Sequence, residues 1–165
     1  MWHIRVMKRS TIVLALGAAI VIPSTSRAQT QITAQIASKM IQGCVTHATA
    51  KHQSHAIVVT DVSGTPIALL RMDGNSAGIT SFAIQKAEAA AHWGFSTAQM
   101  ETSVKGTPGF ANAPKVVTVP GGVPVYSADG MTLLGAVGVS GEAPQDDAAC
   151  AEAAVKAAGY SSARK

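Results

Sequence analysis

Between residue 31 and about residue 52, apolar side chains return every four positions: Ile32, Ile36, Met40, Cys44 and Ala48, with Ala37, Ile41 and Val45 beside them. That period is one face of a helix turned toward a core, and it puts Cys44 on the buried stripe. Residues 56–60 are a short, wholly apolar β-prone run. The turn Asp61-Val62-Ser63-Gly64-Thr65-Pro66 reverses the chain into residues 67–70, so a hairpin is expected. Asn75 or Ser76 can cap a second helix, which carries Ile79, Phe82, Ala83, Ala87, Ala90 and Trp93 along one side. Ser96-Thr97-Ala98-Gln99 has the spacing of a capping box and opens a short third helix.

The second half begins with a glycine- and proline-bearing loop, 105–115. Residues 116–119 read as a strand running into the Pro120-Gly121-Gly122 turn, and residues 123–126 as another. Ala128-Asp129-Gly130 is a tight turn. Residues 131–139 are apolar on both faces, which marks a central strand. Pro144 suits a first helical turn, Asp146 and Asp147 suit the positive end of a helix dipole, and Gly159 closes a last helix from about 145 to 158. The order is α-β-β-α-(α)-β-β-β-α. It predicts an α+β fold, a five-stranded antiparallel sheet flanked by helices, with the tail 161–165 frayed.

The first 28 residues do not follow this pattern. Lys8-Arg9 precedes an apolar run, 11–22, and small residues lead to a cut after Ala28. These are the parts of a secretory signal peptide, too short to span a membrane, so a periplasmic or secreted single domain 29–165 is expected, with no stable membrane insertion after cleavage. The cut also changes the charge. The whole chain has 13 basic and 9 acidic residues and a net charge of +4. Arg5, Lys8, Arg9 and Arg27 lie before the cut and no acid does, leaving 9 of each sign. A neutral domain with six aromatics gives no support for nucleic-acid binding. Export makes a Cys44–Cys150 disulfide feasible, and two buried free thiols are the alternative.

Chemistry is sparse. Gly138-Val139-Ser140-Gly141-Glu142 lacks the second glycine of a nucleophile elbow, and no phosphate loop, dinucleotide fingerprint, HExxH or CxxC is present. His47 follows Cys44 by three, beside the buried stripe, where an imidazole at a pocket rim can ligate haem iron or simply cover the core edge. Lys86 lies within the apolar stripe of the second helix. It can snorkel past the core, pair with Asp73, or join Arg71 in holding a ligand's carboxylates. Thr107, in the loop with Phe110, offers an oxygen beside glycines that allow close approach. Ala136 and Gly138 share a strand face that admits a helix, a ligand or a second subunit.

Several segments in order carry a resemblance: AIVVTDVSGTPIALLRMDG (56–74), Gln85-Lys86-Ala87, GGVPV (121–125), DGMTLLGAVGVSG (129–141) and QDDAACAEAA (145–154). Together they resemble the GlcG/HbpS family, haem-binding proteins related to the C-terminal domain of PduO-type proteins. The resemblance implies a profilin-like sandwich, a homo-oligomer, and haem or corrinoid as ligand in haem handling or sensing. By position it points to His47 as the iron ligand and then to Thr107, with Arg71 and Lys86 near the propionates. Asn75, where many relatives have alanine, and the extra histidines His52 and His55 are departures. The competing reading is an enzyme or accessory subunit that acts on a small organic acid without haem, its carboxylate held by Arg71 and Lys86. The haem reading leans away from catalysis.

Overall fold

A computed structural model describes residues 31–165; the expected signal peptide, 1–28, lies outside the described residues. The elements are α1 (Ala34–Ala50), β1 (Ala56–Asp61), β2 (Pro66–Arg71), α2 (Ala77–Trp93), α3 (Thr97–Gly106), β3 (Gly122–Tyr126), β4 (Leu133–Ser140) and α4 (Pro144–Ala158), with a single 3-10 turn at Phe110–Asn112. The strands form one antiparallel sheet in the order β2-β1-β4-β3. β4, apolar throughout, is central as its pattern predicts.

The helix ends follow their caps. Thr33 and Ser76 accept from the N–H groups of Ile36 and Ile79, and Ser96 with Gln99 closes a reciprocal box at α3. Pro144 opens α4, and Gly159, at φ 87°, ends it with hydrogen bonds back into its last turn.

The sheet separates two unlike layers. On one face Ile57, Val59, Val123, Val125, Val137 and Val139 pack with Met40, Cys44, Cys150 and Val155 of α1 and α4. Each such aliphatic side chain, fully buried, contributes roughly 1.5–3 kcal/mol. The other face is built from small residues against α2, chiefly Ala56, Val58, Ala83 and Ala87, with Ala136 under Ala90 and Ala91. Gly138 lies there too, where a Cβ would overlap the Ala83 carbonyl and come within 2.8 Å of the Ala87 Cβ. Of the three occupants that the Ala136–Gly138 face admits, a helix takes it.

Two expectations are corrected. The sheet has four strands, because residues 116–119 join no ladder. β3 is the outer strand, and its Pro124 has no N–H to offer a further neighbour. The end of β3 is already occupied: Tyr126 exchanges backbone hydrogen bonds with Ser161, at 2.8 and 3.1 Å. The tail is therefore docked and not frayed, and the Lys165 N–H donates to the Gly130 carbonyl at 3.1 Å.

Candidate functional site

The sheet positions two groups of polar side chains. The first is buried where β1 begins and β4 ends, since Ala56 pairs with Ser140 and the chain turns there into α4. Lys86, on the sheet-facing side of α2, is 1 % exposed. Its Nζ donates to Asp147 Oδ2 at 2.9 Å and to the Val139 carbonyl at 3.0 Å, and lies 4.7 Å from the centre of the Phe82 ring. Asp147 Oδ1 faces His55 Nδ1 at 3.1 Å and accepts the Glu142 N–H, also at 3.1 Å. All three side chains are almost wholly buried.

Two glycines make room for this cluster. A Cβ on Gly121, at φ 129°, would sit 2.8 Å from Lys86 Nζ and 3.0 Å from the Asp147 Cβ. At Gly141, φ 147°, it would be 3.0 Å from the His55 Cα and 2.8 Å from Asn75 Oδ1. Asn75 in turn donates to the Ser54 hydroxyl at 2.8 Å, and the Ser54 N–H donates to Glu142 at 3.0 Å, which covers the cluster. A lysine and a carboxylate shut away from water need this degree of pairing to remain charged. The arrangement locks α2, β4 and α4 together. It leaves His55 Nε2 buried without a partner among the described residues.

Asp147 and His55 were legible only in part. Asp147 reads as a dipole residue at the start of α4, yet it shares a buried face with Cys150, Ala151 and Ala154, at three, four and seven residues' spacing. An acid on an apolar stripe and a lysine on another are a signal for an internal pair. Of the partners open to Lys86, the structure selects neither solvent nor Asp73.

The four residues singled out as ligand candidates are not gathered into one site. His47 is on α1, which packs on α4, β1 and β2, whereas Lys86 is on α2 across the sheet. His47 Nε2 is enclosed and makes no hydrogen bond among the described residues. Arg71 is exposed at the end of the edge strand β2, and Thr107 is exposed at the C-cap of α3. Lys86 has no free ammonium to turn toward a ligand. Cys44 and Cys150 are joined in a disulfide between α1 and α4, both fully buried.

The second group lies at the far end of α2. A hollow of about 340 Å³ is lined by His92, Trp93, Tyr126, Met131 and Arg164, among others. Trp93 stands edge-on to Phe95 and Phe110, with ring centres 6.1 and 5.1 Å away, and its Nε1 donates to the Pro114 carbonyl at 3.0 Å. The Tyr126 hydroxyl donates to the Gly94 carbonyl at 2.7 Å. A separate hollow of about 290 Å³ beside α1 is lined by Lys39, Gln42, Gly43, Thr46 and Ala157, without an imidazole. No group of three metal-ligating side chains occurs among the described residues.

A sequence profile described as "Haem degrading protein HbpS-like" matches residues 32–156, which is nearly the whole of this fold. The chain belongs to the HbpS-like family. Among solved structures, a PduOC–heme complex is 23 % identical with a TM-score of 0.73, over 81 % of this chain and 99 % of that one. A double mutant of Streptomyces reticuli HbpS is 22 % identical with a TM-score of 0.70, over 87 % and 97 %. The ORFY protein of Klebsiella pneumoniae is 23 % identical with a TM-score of 0.72, over 83 % and 97 %. At these identities the likeness is one of fold. Curated protein sequences give no significant match. Among the described residues of this HbpS-like chain, no helix is long and apolar enough to cross a membrane.

Proposed function

We propose that this HbpS-like protein is exported and binds haem or a related tetrapyrrole, in haem handling or sensing. The observation that carries the reading is the family match across residues 32–156, supported by a fold shared with a protein whose structure contains heme. The internal disulfide agrees with an oxidising compartment, where such bridges persist.

The chain's own residues fit the group in part. His47 offers an imidazole nitrogen that is buried and unpartnered, an orphan that a metal would satisfy, although its ring must turn outward to reach one. Arg71 offers an exposed guanidinium to a carboxylate, and Thr107 an exposed hydroxyl. When bound, haem would supply a redox-active iron; the protein's part is to position and shield it. The small-acid reading depended on Arg71 and Lys86 as a joint clamp, and the Lys86–Asp147 pair takes that clamp apart.

Purified from the periplasm or medium, the protein is expected to begin at Gln29 and to shift the Soret band on titration with haemin to a stoichiometric endpoint. An unchanged haemin spectrum, with thermal stabilisation by small carboxylic acids instead, would overturn the haem reading.

A further inference from the structure

The two edges of the sheet are built differently. β3 is guarded: Pro124 withholds a donor from its middle, and Ser161 already bonds Tyr126 at its end. β2 has no such guard. Its one proline, Pro66, takes the first position opposite Thr60; it contains no lysine, and its single charge, Arg71, is its last residue.

The ladder shows which backbone groups of β2 are free. The Met72 N–H donates to the His55 carbonyl at 2.9 Å, and the pairs Ala56–Arg71, Ile57–Leu70, Val58–Leu69 and Val59–Ala68 follow in order. In an antiparallel pair, alternate residues exchange hydrogen bonds with the neighbouring strand. Ala68, Leu70 and Met72 therefore bond to β1. Leu69 and Arg71 turn N–H and carbonyl outward, where no strand meets them among the described residues. The side chains are open as well. On the face that Leu69 and Arg71 share with Ala56 and Val58, α2 packs on β1, β4 and β3. Val62, Leu69 and Leu70, all in this hairpin, are 54, 44 and 37 % exposed.

We propose that two copies of this chain pair through their β2 edges, antiparallel about a twofold axis at Leu70, and so join two four-stranded sheets into one. That register sets Leu69 of one copy opposite Arg71 of the other, and the outward groups of both exchange hydrogen bonds on each side of the axis. The Leu70 side chains meet across it. Each Arg71 lays its aliphatic stem beside the partner's Leu69, and the two guanidinium groups stay diagonal, whereas a parallel, in-register pairing would set them side by side. Because β3 is guarded, a second copy can offer only its own β2, so the contact is isologous and closes at two. A six-residue strand is short against a standard interface of about 800 Å² per partner, so the pair should dissociate on dilution. The inference goes beyond the haem reading and does not depend on it.

The test is sedimentation of the exported protein, without haemin, along a dilution series, beside its Leu70→Lys and Leu69→Pro variants. The first variant opposes like charges at the axis; the second removes a donor that β1 does not use. The unaltered protein is expected to double its mass with concentration, and both variants to stay at half the mass it reaches while keeping its circular dichroism. Amide exchange reads the register: the Arg71 N–H should be slow in the pair and fast in Leu70→Lys, with the Met72 N–H slow in both. In the otherwise unaltered chain, Leu70→Cys should give a disulfide-linked pair on oxidation and Val62→Cys should not. An unaltered protein that is a single chain at every concentration overturns the proposal and leaves the edge to some other strand. Mass unchanged by both variants, growth without closure at two, or equal cross-linking through Val62→Cys overturns it too.

Discussion

At the scale of single residues, Lys86 is the side chain that the tertiary structure reassigns most. A lysine on an apolar helical stripe has several outcomes open to it, and the choice depends on what lies opposite. Here that is Asp147, held by three donors and enclosed by Gly121 and Gly141. Removing one partner strands the other charge in the interior, which typically costs about 3–5 kcal/mol. Asp147→Ala should therefore lower unfolding free energy by about that amount in a denaturant titration. Lys86→Met added to it should cost little more, since the charge it pairs with is already gone. Additive losses would show that the two are not an interacting pair. The sequence reveals the apolar stripes on which both residues lie. It does not reveal that the stripes face each other, because 61 residues of chain separate them.

At the scale of elements, local patterns performed well wherever a cap or turn is built from neighbouring residues. The β1–β2 turn is one example. Asp61 accepts from the Ser63 hydroxyl at 2.6 Å and from the Ser63 and Thr65 N–H groups at 2.9 and 3.0 Å. The Ser63 hydroxyl first, and then these backbone donors, hold its carboxyl below the ordinary value of 3.8 against an opposing contribution from burial. A lowered folded value means that the folded state binds fewer protons as pH falls. The contribution is complete above 3.8 and is lost as pH drops through the folded value. Asp61→Asn should thus reduce thermal stability near neutrality, and its deficit should shrink in acid, as followed by melting curves across pH. A deficit independent of pH would refute the carboxylate's part. Residues 116–119 show the opposite limit: the run has β character, but a strand also needs a neighbour with free donors, and β3 offers Pro124 and a docked tail.

At the scale of the whole molecule, one covalent link joins the first and last helices. The Cys44–Cys150 bridge spans 106 residues, and closing so long a loop in the unfolded chain is worth roughly 4–5 kcal/mol in the entropic model. Because both sulfurs are fully buried, reductant should act on the bridge only as the fold opens. The Cys44→Ala, Cys150→Ala double variant should lose roughly that much stability in denaturant, and the native protein should resist reductant until denaturant is added. Ready reduction under native conditions would contradict the burial. The same bridge fixes α1 against α4 on one side of the sheet, while the Lys86 cluster ties α2 to α4 from the other. The hollow at His92 lies at the C-terminal end of α2 and is lined by that helix end, the β3–β4 turn and the tail.

What the sequence determined by itself was local: the helix and hairpin periods, the caps at Thr33, Ser76 and Ser96, the central position of β4 and the order of elements that marks the family. These depend on residues within a few positions of each other, so one chain suffices to read them. Tertiary structure alone decided the partner of Lys86, the docking of the tail and the loss of a fifth strand. Each is a contact between segments far apart in the chain, set by which surfaces the packed sheet leaves open.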